Sequence, residues 1–178
     1  MRSDSVSVSS WLWRDSTWPA SVRRWSSEFD ISVWPSTKAA ASSPFPNGKL
    51  LILWGSQTGT AEDFGNRLAR EAKQRGYDAS SVDLEEYEPG KLAEEDEAPV
   101  VFLMSTHGEG EPTDNALEFY KFLNDERCDN LKSLKFAAFA LGNKQYEHFC
   151  AMGKWVDAKC AALGATRLYE LGLGDDDE

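Results

Sequence analysis

The chain has 178 residues, 41% of them hydrophobic, which suffices for one domain with a sizeable core. Its net charge of −11 sits in residues 50–178, where 13 Lys/Arg face 26 Asp/Glu, while residues 1–49 carry six against four. An acidic body argues against nucleic acid, whose phosphates demand cationic surface, and suits a partner with a basic docking face, although solubility alone explains many acidic proteins.

Cys128, Cys150 and Cys160 are odd in number and lack metal-type spacing, so they read as reduced thiols in a cytosol-facing compartment. No apolar run reaches the roughly 18 residues that a membrane span requires.

Residues 1–48 differ from the rest. Ser is abundant, five of the seven Trp lie here (Trp11, Trp13, Trp18, Trp25, Trp34), and Pro35, Pro44 and Pro46 interrupt any long element. No convincing signal-peptide core is found, and Asp4, Asp15, Glu28 and Asp30 argue against an acid-poor transit peptide. The stretch reads as a poorly ordered leader that ends in a Pro/Gly linker at 44–48.

From Lys49 the pattern alternates regularly. Residues 49–54 read as a buried strand, and residues 61–75 as a helix with Phe64, Leu68 and Ala72 toward the sheet, stopped by Gly76. A weaker strand follows at 77–84, then an acidic loop at 85–97 with a helical turn near 91–94. Residues 99–104 (PVVFLM) and 135–141 (KFAAFAL) are continuous apolar strands, as expected where helices cover both sheet faces. Helices are expected at 115–124 and 148–163, and a last strand near 167–171. Five strands alternating with helices describe a doubly wound parallel sheet.

Parallel strands present their carboxyl ends together, where such folds bind ligands. Three loops leave that edge. The first, Gly55-Ser56-Gln57-Thr58-Gly59-Thr60-Ala61, offers unpaired helix N–H groups, hydroxyls and glycines to an anion. It lacks the Lys of a nucleotide-hydrolysing P-loop and the glycine spacing of a dinucleotide fingerprint. A Gly/Thr-rich turn with a Ser/Thr cap describes it equally well. The second loop, from Ser105 to Asn115, carries His107, and the third, from Leu141 to Phe149, carries Tyr146. A phosphate cradle flanked by two ring-bearing loops can clamp a flat heterocycle by stacking.

The segments GSQTGTAEDF, THGEGEPTDNA, LGNKQYEHF, MGKWVD and ELGLGDDD resemble the FMN-binding, flavodoxin-like domain of the NADPH–cytochrome P450 reductase family. The resemblance runs from about Lys49 to Glu178 and leaves residues 1–48 aside. It implies a flavodoxin-like, doubly wound five-stranded parallel sheet with helices on both faces. It also implies that Ser56, Gln57, Thr58, Gly59, Thr60 and Ala61 hold the FMN phosphate. Ser105, Thr106, His107 and Gly108 would enclose the isoalloxazine and ribityl chain together with Leu141, Gly142, Asn143, Lys144 and Gln145. Tyr146, stacked on one ring face, Glu147, His148, Phe149 and Cys150 would complete that enclosure. Asp176 would lie near the cofactor, and Gly108 matches the family's flexible peptide beside the flavin N5. By the same resemblance the domain relays electrons from an FAD/NADPH reductase module to haem proteins such as cytochrome P450 or cytochrome c. Glu109, Glu111, Asp114, Asp175 and Asp176 would form the acidic docking face. Oxidoreductase activity with NADPH would then belong to a longer diflavin reductase, and family members are anchored to the endoplasmic reticulum facing the cytosol.

Two positions depart from the family. His107 stands where a Tyr stacks on the second ring face, so weaker FMN retention is expected, changing between about pH 5.5 and 7.5. Cys150 replaces an Asn, so its backbone contact rather than its side chain carries over. The family continues beyond the acidic end with another helix of the domain, and the expectation is a fragment with part of one sheet face uncovered and apolar. A flavin-free module of the same topology and a degenerate, poorly folding product are the competing readings.

Overall fold

The computed structural model describes residues 44–96 and 98–177, so the leader at 1–43 lies outside the described residues. Six strands run in chain order: β1 (Lys49–Gly55), β2 (Asp78–Asp83), β3 (Val100–Ser105), β4 (Lys135–Gly142), β5 (Thr166–Arg167) and β6 (Gly172–Asp175). Between them lie α1 (Thr60–Gln74), α2 (Leu117–Asn124) and α3 (Ala151–Ala162), with short 3-10 turns at Pro89–Glu94 and Asp114–Ala116. All pairings are parallel, in the order β2-β1-β3-β4-β5, with β6 also on β4. That order is the flavodoxin-like doubly wound one, which changes direction between β1 and β3.

The apolar runs explain the layers. Side chains alternate along a strand, so a run apolar throughout must be covered twice. On one face Leu50, Ile52, Val101, Leu103 and Phe139 pack against Ala61, Leu68, Ala69 and Ala72 of α1. On the other, Val100, Phe102, Met104 and Phe136 meet Phe119 and Leu123 of α2 and Val156 and Cys160 of α3. Gly153 lets α3 approach β4 closely: a Cβ there would lie 2.1 Å from the Ala140 Cβ.

Several boundaries differ from the sequence expectation. The segment at 44–48 is a turn tied to the end of α1, with the Asn47 amide donating to Gly76 O (3.0 Å) and its Nδ2 to Arg75 O (2.7 Å). Helix α2 starts at Leu117 because the 3-10 turn precedes it, and α3 starts at Ala151 because Cys150 is left-handed (φ 58°) and turns the chain sharply.

The strand expected at 167–171 is instead split. Phe136 pairs with Arg167 and Phe139 with Gly172, so residues 168–171 stand opposite only Ala137 and Ala138. This is a two-residue bulge. Leu168 and Tyr169 pack against the α1-side cluster from it. Among the described residues the exposed apolar face expected from a missing helix is not found: Ala137, Phe139 and Leu141 are all buried. Arg167 holds the bulge to α3 through paired 2.7 Å bonds to Asp157. Among the described residues, no helix is long and apolar enough to cross a membrane.

Replacing Gly153 by Ala should lower the unfolding free energy by about 1–3 kcal/mol, because backbone or β4 must yield to the added methyl. Urea unfolding measures this, and an unchanged midpoint would refute the close packing of α3 on β4.

Candidate functional site

The carboxyl ends of β1, β3 and β4 open onto a cavity of about 480 Å³. Gln57, Thr58, Thr60 and Phe64 form one wall; Ser105, Thr106 and His107 form the second. Leu141, Gly142, Asn143 and Tyr146 form the third, and Gly174, Asp175 and Asp176 close it beneath. A larger but shallow depression of about 630 Å³ lies at the opposite edge, among Lys49, Asp78, Lys91 and Glu94. Among the described residues it offers no ring and, of helix ends, the carboxyl end of the 3-10 turn at Pro89–Glu94, which repels anions, so the smaller cavity is the chemically richer site.

The first wall begins at the turn from β1 into α1. Gly59 takes φ 90°, which a side chain at that position would resist, and leads directly into the helix. Ser56 Oγ accepts from the Gly59 and Ala61 amides at 3.0 and 3.2 Å, satisfying two N–H groups at the turn. The amides of Gln57, Thr58 and Thr60 donate to no acceptor among the described residues. The Thr58 and Thr60 hydroxyls, 3.4 Å apart, add further hydrogen-bonding groups beside these amides. These groups meet the positive end of the 15-residue α1, an arrangement that takes up an anion. Among the described residues, no Lys or Arg lines the cavity.

The second wall leaves β3. Thr106 donates its amide to Leu141 O (3.2 Å), and its Oγ1 accepts from the Met152 amide (3.2 Å), locking this loop to β4 and α3. His107 and Glu111 bridge, with the His107 amide on Glu111 O and the Glu111 amide on His107 O. Gly108 (φ 50°) sits at the exposed tip of that turn and does not line the cavity. His107 does, and it also borders a neighbouring depression of about 550 Å³ among Glu109, Glu111, Asp114, Leu117 and Tyr120.

The third wall leaves β4. Tyr146 is 70% exposed at the cavity rim. Lys144, Gln145, Glu147, His148, Phe149 and Cys150 do not line the cavity. Lys144 binds Asp175 through its amide (3.2 Å) and its ammonium (3.3 Å), and Gln145 Nε2 donates to Asp177. His148 packs its ring beside Gly110 and lies 3.9 Å from Glu109. Phe149 carries the Lys154 ammonium 5.1 Å above its ring. The Cys150 thiol points inward, to Ala140 O and Gly174 O.

Burial alone would raise the Asp175 pKa, but hydrogen bonds from the Lys144 and Asp177 amides and the Lys144 ammonium outweigh it. They hold this carboxyl below the usual range. Asp175 is only 5% exposed, so it braces the site rather than offering free charge. Asp176 lines the cavity and donates its amide to Gly142 O (3.0 Å).

Sequence reading alone missed Phe64, Gly174 and Asp175 in the lining. Phe64 was detectable: it lies one turn after Thr60 and shares its helix face. It also missed the supports behind the first wall: Asn115 accepts from the Ser56 amide at 3.0 Å, and Gln57 Nε2 donates to Asp114 at 2.8 Å.

The flavodoxin family profile matches residues 52–178. The chain is 54% identical over 131 residues to NADPH–cytochrome P450 reductase of Homo sapiens and 53% identical to that of Rattus norvegicus. Each match covers 72% of this chain and 19% of the relative, so the chain spans about a fifth of those proteins' length. A cysteine-to-alanine mutant of flavodoxin from Pseudomonas aeruginosa superposes with a TM-score of 0.63 and 25% identity. That likeness covers 73% of this chain and 85% of that one.

Burial pushes the Cys150 and Cys160 thiols from 9.0 up to about 12. At pH 8 both should alkylate with iodoacetamide at least ~100-fold more slowly in the folded protein than in urea, since only the thiolate reacts. Labelling of either at the unfolded rate would contradict their placement.

Proposed function

The chain belongs to the flavodoxin family and is homologous to the FMN-binding region of the P450 reductases, and from this we propose an electron-transfer role. In that role it holds FMN between the three loops and relays electrons from a separate FAD/NADPH module to haem proteins such as cytochrome P450. The observation that carries the reading is the set of unpaired Gln57, Thr58 and Thr60 amides at the α1 terminus, inside a cavity bordered by His107 and Tyr146.

The residues fit a phosphorylated flavin. Neutral amides and hydroxyls suit a phosphate monoester, and two ring side chains suit a flat tricyclic system. FMN, when bound, supplies one- and two-electron redox chemistry. The protein's share is binding and positioning. Gln57, Thr58 and Thr60 donate to the phosphate, with Ser56, Gly59 and Ala61 shaping the turn behind them. Tyr146 and His107 flank the ring, while Leu141 and Phe64 supply apolar wall that excludes water. Gly142, Asn143 and Asp176 border the remaining side, and Lys144 and Gln145 brace the third loop through Asp175 and Asp177.

The acidic rim supports a basic acceptor. Glu109 and Glu111 are exposed beside His107. Asp114 shares its carboxylate with Gln57, and Asp175 is buried, so the first two residues carry the docking charge best. A chain of this kind works on the cytosolic side of the endoplasmic reticulum, where the haem acceptors of the related reductases are met.

The direct test is titration of the 178-residue chain with FMN, read by quenching of flavin fluorescence. Saturable binding at one site is expected, and a well-folded protein that stays colourless would overturn the proposal. His107→Tyr should bind FMN more tightly than the wild type, because a larger, more apolar ring then faces the flavin. Identical affinities of the two proteins would remove His107 from the ring face.

Glu111→Lys should slow electron transfer from the reduced, FMN-loaded chain to cytochrome c about two- to tenfold at low salt and weaken its salt dependence. An unchanged rate at low salt would place docking elsewhere.

A further inference from the structure

We infer that Asn115 positions the phosphate loop through the Ser56 amide, and so sets how strongly the site prefers a phosphorylated flavin to an unphosphorylated one. This inference rests on the FMN reading above.

Asn115 lies on the β3–α2 loop, 59 residues from Ser56. Its Oδ1 accepts from the Ser56 amide at 3.0 Å and from the Thr113 hydroxyl at 2.7 Å. Its Nδ2 donates to Asp83 Oδ1 at 2.8 Å, at the end of β2. These partners fix the carboxamide's orientation. Two donors require the oxygen on one side, and a carboxylate requires the nitrogen on the other. Asp83 is itself held in place, accepting from the Glu85 amide at 2.8 Å. Thr113 is fully buried, and a Cβ on Gly55 would come within 3.0 Å of its hydroxyl, so the bracket sits directly under the last residue of β1.

One side chain therefore ties the end of β2 and the β3–α2 loop to Ser56, the first residue of the phosphate turn. The tie directs the Ser56 amide backward. Ser56 Oγ collects the Gly59 and Ala61 amides, and the amides of Gln57, Thr58 and Thr60 are left for a ligand. Without Asn115 the Ser56 amide, the Thr113 hydroxyl and Asp83 each lose a partner, and the turn loses its fixed entry. Among the described residues, neither His107 nor Tyr146 hydrogen-bonds to Ser56, Asp83, Thr113 or Asn115. Its loss thus weakens the hold on phosphate while leaving the hold on the ring, a signature that general destabilisation does not produce. Asn115 is a positioning residue and touches no ligand in this account.

The experiment titrates the full chain with FMN and, separately, with riboflavin, which has the ring and ribityl chain but no phosphate. The wild type is compared with Asn115→Ala, Asn115→Asp and the reversed pair Asn115→Asp with Asp83→Asn. Circular dichroism checks that each is folded. Both single variants should weaken FMN binding about ten- to a hundredfold while changing riboflavin binding less than about threefold. The reversed pair keeps the net charge: residue 115 still accepts from the Ser56 amide and the Thr113 hydroxyl, and only the bond between residues 115 and 83 is exchanged, residue 83 now donating, at the expense of the Glu85 amide's acceptor. It should return FMN affinity to within about fivefold of wild type, and it keeps the test decisive if Asn115→Ala unfolds. Equal loss for both flavins, no loss for either, or no recovery in the reversed pair would overturn the positioning role. A wild type that binds neither flavin would instead overturn the FMN reading itself.

Discussion

The double burial of β1, β3 and β4 is the constraint on which the structure depends. Helices cover both faces of these strands, so no polar side chain can stand along their length without losing its hydrogen bonds. Polar and conformationally unusual residues are therefore displaced to the strand ends. Parallel alignment gathers three such ends at one edge, and the reversal of strand order between β1 and β3 parts the loops there. The cavity is thus a by-product of how the core is closed.

Residues at that edge divide into those that face the cavity and those that hold the facing residues still. Thr106 ties the second loop to α3, Lys144 ties the third to Asp175, and Asn115 ties the first to β2. Each tie joins segments far apart in the chain, so the site's geometry is a tertiary property. The same division explains why Asp114 and Asp175 are poor candidates for free surface charge, although composition alone groups them with Glu109 and Glu111.

The sheet was legible in the sequence because its signal is local: PVVFLM and KFAAFAL permit little besides strands buried on both faces. Three loops at one edge followed from parallel topology, and the motif resemblance supplied their chemistry. What escaped notice depends on distant partners. The start of α3 turns on the left-handed backbone of Cys150, a residue type with no preference for it. The break at 168–171 reflects two surplus residues opposite Ala137 and Ala138, which periodicity within one strand does not register. Asn115 reads as one more polar loop residue until Ser56 and Asp83 are seen on either side of it.

The absence of Lys and Arg from the cavity lining, among the described residues, bears on conditions as well as chemistry. A dianionic cofactor approaching an acidic protein through neutral donors meets net repulsion at long range, which dissolved ions screen. The proposed basic acceptor would meet attraction at Glu109 and Glu111, which the same ions weaken. Ionic strength would therefore push the two associations in opposite directions, dilute buffer favouring the proposed acceptor and concentrated salt the cofactor.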